Sequence, residues 1–194
     1  MARTIVPADV LAFWFGAPGS PDHGRHQQRW FAKDPAFDAE IIRLFQADVE
    51  AAIAGAWPDW ESSSDGALAL VLMLDQFPRH IWRGMARAFA GDARALRIAR
   101  QAVAEGLDRD RPAVERVFLY LPFEHSERPE DQDRSCALFA TCREHEEFAR
   151  IMEYAERHRQ IIRRFGRFPH RNAALGRPTT DEEATFLTEP NSSF

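Results

Sequence analysis

Lysine is nearly absent from this sequence. Lys33 is the only lysine among 25 basic residues, and it follows Ala32 rather than a glycine. The chain therefore lacks the Gly-Lys pair of a phosphate-binding P-loop. The patterns GxGxxG, GxSxG and CxxC are missing as well, and Glu144-His145-Glu146-Glu147 lacks the second histidine of HExxH. These absences argue against a familiar nucleotide-binding loop, a serine nucleophile elbow and a zinc-protease helix.

Cysteine is also scarce. Cys136 and Cys142 stand six residues apart on a predicted helix, so their side chains face different directions and are poorly placed to pair. Two such cysteines without a CxxC motif favour a reducing compartment. The apolar stretch at residues 10–15 lacks the longer apolar region and the small-residue cleavage site of a signal peptide. We therefore expect a cytoplasmic protein.

Long hydrophobic runs are missing too. The longest, Ala67 to Leu74, has eight residues, whereas a helix needs about 20 to cross a bilayer. We therefore expect no membrane association, and a run without a polar face must instead be a buried core element. With 194 residues and 45% hydrophobic content, the chain fits one domain that spans residues 1–194.

Apolar residues recur at helical spacing along the rest of the chain, and no strand pattern of useful length appears. The fold class predicted from this pattern is all-α, with helix hairpins joined by short loops. Phe77-Pro78 is expected to break the central helix, and Leu121-Pro122 to interrupt another. The predicted helices cover residues 7–15, 35–55, 67–76, 91–106, 112–121, 129–142 and 144–165, with a last one from Thr179 or Thr180.

Polar residues gather at the end of the central helix. Asp75 and Gln76 follow the buried run, and a lone buried carboxylate is costly. Arg79 lies four residues beyond Asp75, so we predict that the two pair at the mouth of the core. Arg171, from a second Phe-Pro loop, is the alternative partner for Asp75.

Three further features carry chemical groups. Glu124-His125-Ser126-Glu127 offers a general base or metal ligands, although its spacing matches no metal motif and also suits a structural turn. His158 lies on the apolar seam of the longest predicted helix and is either a satisfied core histidine or part of a site. His170, Arg171 and Asn172 follow Phe168-Pro169, where the arginines suit either a carboxylate or phosphate ligand or a solvated basic helix end.

Long segments of this chain resemble the DUF924 family in the order in which they occur. They are AFWF at residues 12–15, LDQFPRHIWRG at 74–84, AFAGDARAL at 88–96, YLPFEHSE at 120–127 and RFGRFPHRNAALGR at 164–177. The resemblance implies a tetratricopeptide-like fold, a right-handed array of antiparallel helix hairpins, although no 34-residue repeat signature is visible. His80 stands where the family motif is expected to carry asparagine. The family has no established activity, but its motifs coincide with the polar segments above, so we expect these segments to converge on one site.

Three hypotheses follow for function. The first is a binding protein whose polar pocket takes a small anionic ligand. The second is a hydrolase-type enzyme that uses His125 or His158 as general base, and the third is a scaffold for a peptide or protein partner. We expect no cofactor and no bound metal. We also expect no nucleic-acid partner, because the net charge is −5. No catalytic residue and no oligomeric state are assigned. The candidate ligand-binding residues are Asp75, Gln76, Arg79, Glu124, His125, Glu127, His158, His170, Arg171 and Asn172.

Overall fold

The computed structural model describes residues 4–190 and 192–193. Within these ranges the chain forms nine α-helices, several short 3₁₀ segments and no β-strand, which confirms the all-α prediction. The helices are α1 (Pro7–Phe15), α2 (Pro35–Ile53), α3 (Ser64–Val71), α4 (Phe77–Ile81), α5 (Asp92–Glu105), α6 (Ala113–Glu124), α7 (Pro129–Phe139), α8 (Phe148–Phe165) and α9 (Asp181–Leu187).

Several helix boundaries follow from local capping chemistry. Asp34 precedes α2, and its carboxylate accepts hydrogen bonds from the backbone N–H groups of Ala36 and Phe37 at 3.0 and 3.1 Å. Thr180 and Glu183 form a capping box at the start of α9. Both starts agree with the sequence prediction.

The central helix does not break at Phe77-Pro78, so that part of the prediction is wrong. Leu72–Gln76 forms a π-helical turn between α3 and α4, and the three segments follow one another without a gap. Pro78 has no N–H with which to close a normal α-helical bond, and the backbone N–H of Phe77 donates to Leu72. The predicted burial is confirmed, because every residue from Ala67 to Leu74 is at most 1% exposed.

A second predicted break is also absent. Helix α6 continues through Pro122 to Glu124, with His125 as its C-cap. Helix α7 ends at Phe139, earlier than expected, so only Cys136 lies on it. Cys136 and Cys142 are both buried free thiols.

Helices α6, α7 and α8 form two successive antiparallel hairpins. The side-chain amide of Gln132 on α7 donates to the carbonyl of Glu124 at the end of α6, whereas Arg116, near the start of α6, bonds Thr141 beyond the end of α7. Helices α6 and α8 therefore run in the same direction. The tetratricopeptide-like arrangement of the whole chain stays a prediction.

Aromatic side chains form much of the hydrophobic core. Trp14 of α1 lies 5.4 Å from both Phe77 and Phe118, measured between ring centroids. These contacts join the first helix to the central helix and to α6. No helix within residues 4–190 and 192–193 combines the length and the apolar character required to span a bilayer.

The start of α5 lies against the π-helical turn. A Cβ atom placed on Gly91 would lie 2.2 Å from the carbonyl oxygen of Leu74. Only glycine permits this approach, because no real Cβ contact is so short. The close contact fixes the position of Asp92, the first residue of α5.

Candidate functional site

A cavity of about 460 Å³ opens between α4, α6, α8 and the loops that connect these helices to the rest of the chain. Seven of the ten candidate residues line it, although they come from four separate segments of the sequence. These seven are Gln76, Arg79, Glu124, His125, His158, His170 and Arg171. The fold thus brings the predicted segments together, while their role in binding stays a prediction.

Asp75 lies behind the cavity wall and is fully buried. Its carboxylate accepts a hydrogen bond from Nδ1 of His125 at 2.6 Å and another from the side-chain amide of Gln76. Arg79 Nη1 lies 3.4 Å from Oδ1 of Asp75. Burial raises the pKa of Asp75, but Arg79 and His125 outweigh burial and hold that pKa below its ordinary value.

Asp92 is the main partner of Arg79, and sequence reasoning missed it. Arg79 donates two hydrogen bonds to the Asp92 carboxylate, at 2.9 and 3.1 Å. The same carboxylate lies 3.5 Å from Nη1 of Arg171. Asp92 therefore holds both guanidinium groups side by side. The only sequence signal for it was its place in the AFAGDARAL segment.

Arg171 is held between aromatic rings. Its guanidinium carbon lies 4.8 Å from the ring centroid of Phe89 and 4.6 Å from that of Phe168. The residue is only 7% exposed, and its Nε has no hydrogen-bond partner within the described part of the chain. Burial and the neighbouring Arg79 lower the pKa of Arg171 to about 10, so the side chain stays charged at neutral pH.

Glu124 is a buried carboxyl group that forms no ion pair with an arginine or lysine of the described residues. It is 5% exposed, and burial, together with the charge of Asp75, raises its pKa to about 8. Nδ1 of His158 lies 3.6 Å from Glu124 but hydrogen bonds the backbone carbonyl of Tyr154 at 2.8 Å. Glu124 is therefore mostly protonated at pH 7 and able to donate a hydrogen bond.

Three histidines at one end of the cavity, His125, His158 and His170, are biased toward the neutral form. Burial lowers the pKa values of His125 and His158, and nearby positive groups add to the effect. Burial and Arg171 lower the pKa of His170 to about 3. A neutral imidazole is able to accept a proton at neutral pH.

Two comparisons with known proteins bear on this geometry. Residues 10–191 match the model of a family described as a bacterial protein of unknown function, DUF924. The chain belongs to the DUF924 family. It is also similar to the solved structure of a protein of unknown function from Agrobacterium tumefaciens, with 40% sequence identity and a TM-score of 0.82. That similarity covers 93% of this chain and 96% of the other. The comparison with curated proteins finds no match.

Besides Asp75, two candidate residues of this DUF924 member, Glu127 and Asn172, do not line the cavity. Glu127 accepts hydrogen bonds from two nitrogens of Arg177, at 2.8 and 3.0 Å, and one from the backbone N–H of Phe168. Asn172 accepts from Nε of Arg177 at 3.0 Å. Both residues therefore brace the loop that presents Arg171, and a role for them in binding stays a prediction.

His80, which was expected to depart from the family motif, has its own partner. Nδ1 of His80 lies 2.7 Å from the Asp38 carboxylate, which Arg83 also contacts at 3.0 Å. Burial lowers the pKa of His80 despite this carboxylate. His80 lines the cavity, and its ring orientation is fixed from outside it.

Metal binding finds no support in the arrangement of these side chains. Within residues 4–190 and 192–193, no group of three or more histidine, cysteine, aspartate or glutamate side chains is placed to hold a metal ion. The side chains of the cavity can form hydrogen bonds, attract a charged ligand and transfer a proton. Two arginines, a neutral carboxylic acid and an oriented imidazole face one cavity.

Proposed function

We propose that this DUF924 protein binds a small anionic ligand in the cavity, through Arg79 and Arg171. One observation carries the proposal: among the arginines that line the cavity, Arg79 and Arg171 lie side by side on one carboxylate, and Arg171 is incompletely paired. Arginine presents a planar fork of N–H donors that matches a carboxylate or a phosphate.

The pairing of the two arginines is unequal. Arg79 makes two close bonds to Asp92, whereas Arg171 reaches the same carboxylate only at 3.5 Å. A buried donor without a partner is unfavourable, so an anion that accepts from Arg171 relieves that deficit. Arg171 is therefore the residue expected to contribute most to affinity, with Arg79 beside it.

The scaffold hypothesis fits the geometry less well. An open apolar groove would suit a peptide, whereas Glu124, His158 and Arg171 are buried, at most 7% exposed, and indicate a recessed polar site.

Isothermal titration with acetate, phosphate and the neutral analogue acetamide tests the proposal. We expect an anion to bind and acetamide not to bind. Arg171→Met should weaken anion binding about tenfold or more, since a charge-assisted hydrogen bond contributes about 1.5–3 kcal/mol.

Arg163→Met is the matched control, because Arg163 is an exposed arginine that pairs with Asp133 and does not line the cavity. It should leave the affinity unchanged. Equal binding of acetamide and acetate, or an Arg171→Met variant with normal affinity, would contradict the proposal.

The second candidate function is an enzyme with His125 as general base. The observation that favours it is the 2.6 Å bond from His125 Nδ1 to buried Asp75, which orients the ring and leaves Nε2 as the nitrogen that can accept a proton. Nδ1 of His158 bonds the backbone carbonyl of Tyr154, which is uncharged, whereas Nδ1 of His125 bonds a carboxylate. His125 is therefore the better base.

Hydrolysis of mono-nitrophenyl succinate, an ester that carries a carboxylate, tests this candidate. His125→Gln should abolish the turnover, and Asp75→Asn should lower it and shift its pH profile. A turnover that survives in His125→Gln would exclude His125 as the base.

A further inference from the structure

The cavity is longer than a simple anion. The residues of α6 that line it show this. Val117, Leu121, Glu124 and His125 all line it, with the three- and four-residue spacing of one helical face. Val117 and His125 are eight residues apart, which corresponds to about 12 Å along the helix axis. The cavity therefore extends along roughly the second half of α6.

A similar length of helix α8 borders the cavity on the opposite wall. Glu147, Ile151, Tyr154 and His158 line the cavity from the start of α8 to its middle. The eleven residues from Glu147 to His158 span about 16 Å. Because α6 and α8 run in the same direction, the two faces border one elongated space.

Contacts between the helices identify the two ends of this space. At one end, Glu124 of α6 lies 3.6 Å from His158 of α8. At the other, the ring of Phe118 on α6 lies 4.9 Å from Trp30. Near Trp30, the backbone N–H of His26 donates a hydrogen bond to the carboxylate of Glu146, which lies just before α8.

The two ends differ in chemistry. The polar end holds the seven residues Gln76, Arg79, Glu124, His125, His158, His170 and Arg171. The apolar end holds Trp30, Phe31, Val117, Leu121, Phe139 and Ile151. The remaining charged residues of the lining are paired and partly exposed: Arg83 lies 3.0 Å from Asp38, and Arg150 lies 3.8 Å from Glu147.

Phe31 marks the mouth of the apolar end. It is 53% exposed although its ring stacks on Phe118 with centroids 5.9 Å apart. A large exposed aromatic side chain beside a cavity is typical of a surface that an apolar ligand covers.

We infer that the ligand is an anion that carries an extended apolar chain, with its charged group at Arg79 and Arg171 and its chain along Leu121 and Val117 toward Phe31. This inference rests on the proposed function, because it takes the anion site as given. Acetate or phosphate alone would occupy the polar end and leave the apolar end empty. An apolar chain would bury the second half of the cavity wall and gain the hydrophobic contribution of each methylene.

Affinity measured along a series of straight-chain acids tests the inference: acetate, butyrate, hexanoate and octanoate at pH 7. We expect the affinity to rise about threefold for each added methylene. Hexanol should bind much more weakly than hexanoate, because it has the chain but no charge.

Phe31→Ser should flatten the dependence on chain length while acetate affinity stays the same. The matched control is Met85→Ser, because Met85 is similarly exposed, at 58%, and does not line the cavity. Both side chains are on the surface, so both variants are expected to fold.

The outcomes separate this inference from the proposed function. Equal affinity for acetate and octanoate would overturn the apolar chain and leave anion binding intact. Equal affinity for hexanol and hexanoate would overturn anion binding itself. A chain-length dependence that is the same in Phe31→Ser and in the wild type would place the chain elsewhere and overturn the inferred orientation.

Discussion

Asp75 and Glu124, the two carboxyl groups nearest His125, have pKa values shifted in opposite directions. Two cationic or hydrogen-bonding neighbours hold Asp75 ionised, whereas burial beside Asp75 keeps Glu124 protonated. When the pKa values of two neighbouring carboxyl groups are shifted apart in this way, the ionised group can orient a base and the protonated group can serve as an acid or hydrogen-bond donor.

Removal of the Asp75 carboxylate should destabilise the fold strongly. We expect Asp75→Ala to lower the free energy of unfolding by about 3–5 kcal/mol, because it removes the buried acceptor of His125 and Gln76 and one of the two carboxylates beside Arg79. Denaturant melts measure this change. Asp133→Ala, at an exposed ion pair, is the control and should change stability by no more than about 0.5 kcal/mol; a similar result for both variants would mean that Asp75 contributes no more than a surface charge.

Glu124 makes stability depend on pH in a defined direction. Its pKa rises from 4.5 to about 8 on folding, so the folded state binds the proton more tightly and stability falls as pH rises between these values. Glu124→Gln cannot ionise, so we expect it to match the wild type at pH 5 and to be more stable by on the order of 1–3 kcal/mol at pH 9.

Unfolding curves at pH 5, 7 and 9 provide the comparison. Glu153→Gln changes an exposed carboxylate on α8 and should show no such trend. A stability difference for Glu124→Gln that is constant across pH would show that Glu124 titrates normally.

At the scale of elements, the decisive contact is the one between α5 and the π-helical turn. We expect Gly91→Ala to lower stability by about 1–3 kcal/mol, because the new methyl group would overlap the Leu74 carbonyl oxygen. To relieve the overlap, the start of α5 would have to move, which should carry Asp92 away from Arg79. Anion binding, measured by titration, should then weaken.

Gly176→Ala is the control that separates the effect of steric overlap on stability from the effect of backbone conformation. Gly176 has a positive φ of 64° and open space around it, so its substitution tests backbone strain alone, about 1–2 kcal/mol. Gly91 has a φ of −89°, and any loss there comes from the overlap. Normal anion affinity in Gly91→Ala would mean that Asp92 does not depend on this contact.

The errors of the sequence analysis at this scale share one cause. Proline was expected to end a helix at Pro78 and to interrupt one at Pro122, but both helices continue. Local propensity favours a break, whereas burial of the flanking apolar residues on all sides favours continuation. A pattern read along the chain does not contain the tertiary contacts that decide between them.

Over the whole molecule, the helical class and the convergence of the polar segments were predictable. Periodicity shows which face of α8 is apolar, and so where His158 lies. The partners of each polar group were not predictable, because Asp92 and Arg177 act across distances that only the assembled fold defines. Glu127 was therefore placed in the site, while Asp92 was left out of it.

Binding of an anion should be coupled to proton uptake. The two arginines at the polar end are already opposed by Asp75 and Asp92, so an anion adds unbalanced negative charge beside His125, His158, His170 and Glu124. That charge raises their pKa values, and the affinity should strengthen as pH falls and weaken as pH rises through about 8, where Glu124 ionises.

Calorimetric titration of hexanoate in two buffers with different ionisation enthalpies counts the protons taken up. We expect uptake at pH 7.5, reduced in Glu124→Gln. An enthalpy that is the same in both buffers would show that binding does not involve these groups.

The π-helical turn also has a consequence for descent within the family. A π turn holds one residue more than the α-helical turn it replaces, so loss of one residue from 72–76 would restore a regular helix. The helix beyond the deletion would keep its register relative to α3, because the residue that is lost is the extra one of the turn. Asp75 and Gln76, which lie in the turn itself, would change direction while the apolar core segment stayed intact. Insertions and deletions at this one turn, more than substitutions around the cavity, would separate relatives that keep the contact between Asp75 and His125 from those that keep only the fold.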